Sequence, residues 1–220
     1  LMIDIFDKAK QGVIIATIAW CTAFAHDGLA NEVDGARAII RHDVESIQGT
    51  RLHYESYAII HPLRPPIRED YTIEIIDKWG AGIIFSYEVR QSVLGTSTGI
   101  QSLSSLDACR SIDPWWDPAQ TSFDGRCELW ISPQQLRELI VEGKTYLAVD
   151  TIERKDSVVR WSFDGDVVYW VSIDGRRVAL DGIRAHTSRG DEFIILKNFE
   201  NPLILKAKSS YFSWDLVKID

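Results

Sequence analysis

The sequence predicts a mainly β fold of the α+β type. We expect a curved antiparallel sheet or half-barrel, one or two N-terminal helices, and one short helix near residues 133–142. Three observations support this prediction. Apolar and polar residues alternate through most of the chain after Gly49. Two Asp-Gly pairs lie about ten residues apart in the last third, a spacing typical of consecutive hairpins. A helix start signal is present at Ser132.

The strands are predicted where the period of two is clear, and those after residue 146 form a meander. Asp164-Gly165 and Asp174-Gly175 are predicted hairpin turns, because a type I′ turn needs two residues that tolerate positive φ. Asp181-Gly182 is predicted to be a third turn or a bulge. The predicted strands are Arg51–His61, Tyr71–Asp77, Ile83–Leu94, Cys127–Ile131, Tyr146–Glu153, Val158–Phe163, Val167–Ile173, Arg177–Leu180, Phe193–Leu196, Leu203–Ala207 and Phe212–Ile219.

The short helix is the clearest local signal in the sequence. Ser132 is a predicted N-cap, Pro133 suits the first helical position, and Gln135 completes a capping box. Gly143 is predicted to end the helix. An apolar stripe at helical spacing is formed by Leu136, Leu139 and Ile140.

The chain is predicted to consist of an N-terminal region, residues 1–43, and a single antiparallel β domain, residues 44–220, with an irregular loop at 95–126. Within the first region, the apolar segment 13–25 ends in a small-x-small pattern typical of a signal peptide. It is shorter than the roughly 20 residues that a membrane-spanning helix needs. The alternative is a buried helix that stays in the mature chain. Residues 27–43 are predicted to form an amphipathic helix.

The chain is acidic, with a formal net charge of −8. Nucleic-acid affinity depends on cationic side chains that displace counterions, so nucleic acid is excluded as a partner. Contact with a membrane is expected only through the N-terminal segment, if that segment is retained. The sequence has no phosphate-binding loop and no dinucleotide fingerprint, and we expect no cofactor.

Cys109 and Cys127 lie on either side of a loop rich in Asp, Pro and Trp, and we expect a disulfide between them. The alternative is two buried thiols, since free cysteine is common in protein cores. Removal of Cys21 with the N-terminal segment would leave this even pair. A disulfide implies an oxidising compartment, so the expected location is extracytoplasmic: the periplasm, the cell envelope or the medium.

Two groups of residues are candidate polar sites. Trp115 and Trp116 lie between two aspartates and suit ligand binding, by stacking on a sugar or by bracing a calcium loop. The alternative is that the two indoles plug the end of the sheet. On the first strand, alternation places His53, Glu55 and His61 on one face, where they could hold a metal or act as acid and base. The alternative is a solvated sheet face.

Aromatic residues of the meander form the third candidate site. Alternation places Trp161 and Phe163 on one side of a strand, and Val168 and Trp170 on one side of the next. Across the predicted Asp164-Gly165 hairpin, these side chains would face each other and line an apolar ligand pocket. The alternative is ordinary core packing beneath the helices.

The sequence DEFIILKNFENPLILKA at residues 191–207 resembles the closing hairpin of exported bacterial proteins. In those proteins a strand, an Asn-Pro turn and a second strand complete a curved antiparallel sheet. The shape is similar to that of the lipoprotein-carrier half-barrels and the lipocalin-like superfamily. The resemblance covers residues 140–220 and implies a concave sheet that binds an apolar or amphiphilic small molecule. It supplies no catalytic residue.

Three hypotheses about function follow. The first is a non-enzymatic extracytoplasmic binding protein for an apolar or amphiphilic ligand. The second is a structural subunit of a cell-envelope or surface assembly, in which copies of the chain pack together through segment 13–25. The third is a metal-dependent hydrolase that uses His53, Glu55 and His61. The sequence has no nucleophile elbow and no paired CxxC, so no enzymatic motif supports the third hypothesis.

Overall fold

The computed structural model describes residues 40–41, 48–58, 66–79, 82–91, 95–103, 106–112, 122–123, 125–149, 157–210 and 212–220. The chain divides into two units, Leu1–Ala38 and Ile39–Asp220, and every described residue belongs to the second. The described part of this unit is mostly β, as the sequence predicts, and contains one α-helix.

The strands before the helix are β1 (Ile40–Arg41), β2 (Arg51–Ala58), β3 (Ile67–Trp79), β4 (Gly82–Gln91), β5 (Gly95–Leu103), β6 (Ser111–Ile112), β7 (Ser122–Phe123) and β8 (Arg126–Cys127). The described residues between β5 and β6 include a 3-10 turn, Leu106–Ala108. The helix is α1 (Pro133–Glu142). The strands after it are β9 (Lys144–Val149), β10 (Val158–Ile173), β11 (Arg176–Thr187), β12 (Glu192–Leu196), β13 (Ile204–Lys208) and β14 (Phe212–Ile219).

The strands form one large curved sheet in the order β7-β5-β4-β3-β2-β14-β13-β12-β11-β10-β9-β6-β8. β10 also pairs in parallel with β14, where Ser172 lies opposite Lys218 and Ile173 opposite Ile219. This pairing closes strands β10 to β14 into a five-stranded ring. Strands β2 to β5 continue from β14 as an antiparallel extension, which positions the site described below.

The β10–β11 hairpin confirms one predicted Asp-Gly turn and corrects another. Asp174 and Gly175 form the turn, with φ of 49° and 75°, as a type I′ turn requires. The predicted turn at Asp164-Gly165 is wrong, because β10 continues through these residues and its pairing with β11 shifts there as a bulge. Gly165 uses its positive φ for the bulge instead of a turn. Asp181-Gly182 is neither a turn nor a bulge, since both residues pair in register inside β11.

The region 95–126, predicted as an irregular loop, contains β5. This strand pairs with β4 without a register shift from Gly95 to Leu103. Its Ser, Thr and Gly residues show no apolar alternation. At Gly99, Tyr87 of β4 takes the space of a side chain, because a Cβ on Gly99 would overlap the Tyr87 ring. The predicted strand Cys127–Ile131 is also wrong in extent, since only β8 and an isolated bridge at Trp130 are formed.

Helix α1 confirms the capping prediction. The Oγ of Ser132 accepts a hydrogen bond from the backbone N of Gln135 at 3.1 Å. In return, Oε1 of Gln135 accepts one from the backbone N of Ser132 at 2.8 Å. Gly143 ends the helix in the left-handed conformation, with φ of 74°. The apolar side chains of Leu136 and Leu139 are buried.

Cys109 and Cys127 form the predicted disulfide, with their Cα atoms 5.7 Å apart. Both residues are buried. The bond joins the two short segments that pair in parallel as β6 and β8. Helix α1 contacts the disulfide region directly: Nε2 of Gln135 donates a hydrogen bond to the carbonyl of Cys109 at 3.2 Å.

Trp130 is fully buried in the core and contacts two separate parts of the sheet. Its ring centroid lies 5.7 Å from that of Phe85 in β4. Its Nε1 donates to Oδ1 of Asn201 at 2.9 Å. Asn201 belongs to the turn between β12 and β13, where Oδ1 of Asn198 accepts hydrogen bonds from two backbone N–H groups. The strand, turn and strand predicted for this part of the sequence are therefore present.

The apolar segment 13–25 and most of the predicted helix 27–43 lie outside the described residues. The end of that helix is wrong, because Ile40–Arg41 forms β1, which pairs in parallel with Ala179 and Leu180 of β11. Within the described part of the chain, no helix has the length and apolar character needed to cross a membrane.

We predict that Ser132→Ala lowers the free energy of unfolding by about 1 kcal/mol, because it removes the acceptor for a buried backbone N–H. Chemical denaturation measures this change. Gln134→Ala, on the exposed side of the same turn, is the control and should cost less than about 0.5 kcal/mol. Equal denaturation midpoints for the parent protein and Ser132→Ala would contradict the prediction.

We also predict that replacing both Cys109 and Cys127 by Ala lowers the free energy of unfolding by about 3 kcal/mol, since the bond closes a loop across 18 positions. Mass spectrometry after thiol labelling, under denaturing and non-reducing conditions, should find neither cysteine labelled. Cys21→Ala leaves the pair intact and is the control for the labelling. Detection of two labelled thiols at positions 109 and 127 would disprove the bond.

Candidate functional site

A polar groove of about 560 Å³ crosses the outer face of β2 to β5. One row of the sheet forms its floor, in which cross-strand pairing aligns His53, Thr72, Glu88 and Thr98. The groove lies on this face because the strands alternate: β2 turns Leu52 and Tyr54 into the core and leaves His53, between them, on the outer face. The same register places a second row beside the first, formed by Arg51, Glu74, Ser86 and Ile100.

His53 is held at both of its ring nitrogens. Nε2 lies 3.0 Å from Oδ2 of Asp220, and Nδ1 lies 3.2 Å from Oγ1 of Thr72. Thr72 is the cross-strand partner of His53 in β3, and Asp220 follows β14. Two contacts on opposite sides of the ring fix its orientation. The groove therefore presents an imidazole in one defined position.

Asp220 is also bound to a lysine. Nζ of Lys218 lies 2.6 Å from Oδ2 of Asp220, the same oxygen that contacts His53. The hydrogen bond from Lys218 is the largest cause of a lowered pKa of the Asp220 carboxyl, and the contact with His53 lowers this pKa further. The carboxylate form of Asp220 is therefore favoured in the folded protein.

The other charged residues of the groove form ion pairs with each other. Nε of Arg51 lies 3.1 Å from Oε2 of Glu74, and Nε of Arg90 lies 2.6 Å from Oε1 of Glu88. Exposed pairs of this kind contribute only about 0–1 kcal/mol of stability each. Their main effect is to hold planar hydrogen-bonding groups in fixed positions along the groove.

The contact between Thr72, His53 and Asp220 has the composition of a site that activates a hydroxyl nucleophile. Its surroundings differ from such a site. Thr72 lies in the middle of β3 and pairs with His53 on one side and Glu88 on the other, so the nearby backbone N–H groups belong to the sheet. They cannot form a donor pair for a developing oxyanion. The arrangement is suited to binding polar groups.

The predicted metal candidates lie in different surroundings. His53 and Glu55 are on the outer face of β2, as alternation predicts, but Glu55 pairs with Arg68 at 3.2 Å. His61 lies outside the described residues. Among the residues that the structure describes, no group of three or more His, Cys, Asp or Glu side chains could hold a metal ion.

The residues of β10 predicted to line an apolar pocket differ in burial. Trp161 is fully buried, and its ring centroid is 4.0 Å from that of Phe193 in the core. Phe163 also packs against the core. Val168 and Trp170 are exposed. Because β10 continues through Asp164-Gly165 and does not turn back, the two pairs do not face each other across a hairpin, and the predicted common wall is not formed. Trp115 and Trp116 lie outside the described residues.

Sequence reasoning did not single out Thr72 or Asp220. Thr72 is recognised only from the register of β3 against β2, and Asp220 lies 167 positions from His53 in the chain. Comparison of the chain with protein-family models, with curated proteins and with solved structures finds no match. We therefore infer the function from the groove itself.

We predict that the pKa of the Asp220 carboxyl is below the ordinary range in the folded protein, and that Lys218→Met raises it more than His53→Gln does. Because the pKa is lower in the folded than in the unfolded state, Asp220 stabilises the fold above the ordinary carboxyl pKa of about 4, and this contribution disappears as the pH falls through the lowered pKa.

A carbon-13 NMR titration of the carboxyl groups measures these values. Lys208→Met changes a lysine on the neighbouring β13 and is the control. An Asp220 pKa that stays the same in Lys218→Met would show that this lysine does not hold the carboxylate.

Proposed function

We propose that the chain is a non-enzymatic binding protein of an extracytoplasmic compartment, and that the groove over β2 to β5 receives the polar head of an amphiphilic ligand. The observation that carries the proposal is the fixed His53, with one ring nitrogen beside Thr72 and the other beside Asp220. A side chain fixed in this way loses little further freedom when a ligand binds.

The size and charge of the groove support a head group without net charge. A volume of about 560 Å³ lies in the range of small-molecule sites, about 300–1,000 Å³. Two arginines and three carboxylates line it, and the arginines are paired in place. A charged head would have to break one of these pairs. A hydroxyl-rich head can bond to both members of each pair without separating them.

An apolar contact is available at one end of the groove. Ile100 of β5 lines the groove and is 61% exposed, an unusually open position for an isoleucine. Covering a side chain of this size contributes about 1.5–3 kcal/mol. The alkyl part of an amphiphile fits this end, while its head fits the row that contains His53.

The disulfide supports the proposed compartment, because such bonds persist mainly in oxidising environments. The curved sheet and the resemblance of residues 140–220 to lipoprotein carriers agree with an amphiphilic ligand. The proposed site differs from theirs in one respect: it uses the outer face of the extension and not a cavity among the core aromatic residues.

We predict that n-octyl β-D-glucoside, titrated below its micelle concentration, binds saturably and shifts the NMR signals of groove residues. Ile100→Ser should weaken this binding about fivefold or more, because it removes the apolar contact. Thr72→Val should also weaken it, since the hydroxyl that orients His53 is lost. Sodium octanoate should bind more weakly than the glucoside, because its carboxylate meets three others in the groove.

Val158→Ser is the matched control, because Val158 is an equally exposed strand residue outside the groove. It should leave the affinity unchanged. Binding that is absent, or that responds to Val158→Ser as strongly as to Ile100→Ser, would disprove the proposed site. Thermal denaturation of each variant separates loss of binding from loss of folding.

A further inference from the structure

Strand β5 is an edge of the sheet along most of its length. On the side away from β4, β7 pairs only with Ser102 and Leu103. Among the described residues, no strand pairs with Gly95–Gln101 on that side. An edge of this kind presents a row of backbone donors and acceptors that a further strand can use.

The edge lacks the features that keep most edge strands from associating. Its pairing with β4 continues without a bulge from Gly95 to Leu103. It contains no proline and no charged residue. The uncharged stretch runs from Gln91 to Leu106, although a quarter of the whole chain is charged. Edges in natural proteins are normally blocked by lysine, proline or a bulge, so this edge is open to pairing.

We propose that a second copy of this chain pairs with β5 in the antiparallel direction, about a twofold axis at Thr98. This residue is the centre of the open stretch Gly95–Gln101, so the twofold axis places each Thr98 opposite the other. Two copies of a protein with a net charge of −8 repel each other over most of their surfaces. At this uncharged strand, no like charges face each other across the pair.

The register supports the same pairing through its side chains. A twofold axis at Thr98 places Ile100 opposite Thr96 of the second copy, and both residues are exposed in the single chain. Two β-branched residues facing each other are a favourable cross-strand pair on an antiparallel sheet. Each of the two Ile100 side chains is therefore covered in part by Thr96 of the other copy.

The pairing also joins the two grooves. Thr98 and Ile100 line the groove, so the second copy extends each groove across its own β5. This inference does not depend on the proposed ligand, because it rests on the backbone edge and the absence of charge. An interface formed by one short strand from each copy is small, so we expect a dimer of micromolar or weaker affinity.

Sedimentation of the full chain over a concentration series, up to about 500 µM, tests the proposal in the range of weak interfaces. We expect a monomer–dimer equilibrium. Thr98→Lys and Thr98→Glu each place two like charges opposite each other and should raise the dissociation constant about fivefold or more. An equimolar mixture of the two variants should restore the dimer as a heterodimer, because opposite charges then meet.

Ser188→Lys, in the exposed turn after β11, adds the same charge elsewhere and should leave the equilibrium unchanged. Thermal denaturation of each variant verifies its fold. A protein that stays monomeric over the series overturns the proposal, as does a dimer that is insensitive to both Thr98 variants. Recovery in the mixture supports it, since a general loss of folding could not be reversed by mixing.

Discussion

The buried hydrogen bond from Trp130 to Asn201 joins the two parts of the sheet. The indole packs against Phe85 in the extension, and the amide belongs to the β12–β13 turn of the ring. Both residues are almost fully buried, so loss of either partner would leave an unpaired polar group at a cost of about 1–3 kcal/mol. The ring and the extension therefore share one core, and the outer face of the extension has a fixed position relative to β14.

Local signals predicted local structure well. The capping residues of α1 and the Asp174-Gly175 turn act within a few residues, so the sequence contains all that they need. Asp164-Gly165 shows where such signals are ambiguous: a positive φ serves a bulge as well as a turn, and the long pairing of β10 with β11 selects the bulge. Strand β5 was not predicted because its residues do not alternate, and at Gly99 the core is filled by Tyr87 of β4.

The candidate site was predictable only in part, because its contacts also depend on how separate strands pair. Alternation on β2 places His53 on the outer face, but the atoms that hold its ring come from β3 and from the residue after β14. Strand register determines those contacts, and periodicity in one strand carries no information about register. Trp161 and Trp170 depend on pairing in the same way. They were predicted to face each other across a hairpin at Asp164-Gly165, but β10 continues through these residues, and Trp161 is buried in the core while Trp170 is exposed.

The outer face of the extension changes in character from β2 to β5. Its first three strands carry paired charges such as Arg51 with Glu74 and Arg90 with Glu88, which add little stability because they are exposed. Charged groups are costly to remove from water without replacement hydrogen bonds, so an apolar group does not cover these strands favourably. At β5 the side chains that the structure describes on this face are the hydroxyls of Thr96 and Thr98 and the alkyl group of Ile100. The cost of desolvation is therefore lowest at β5, where the groove ends and the edge begins, and an approaching molecule gains most by contacting this strand.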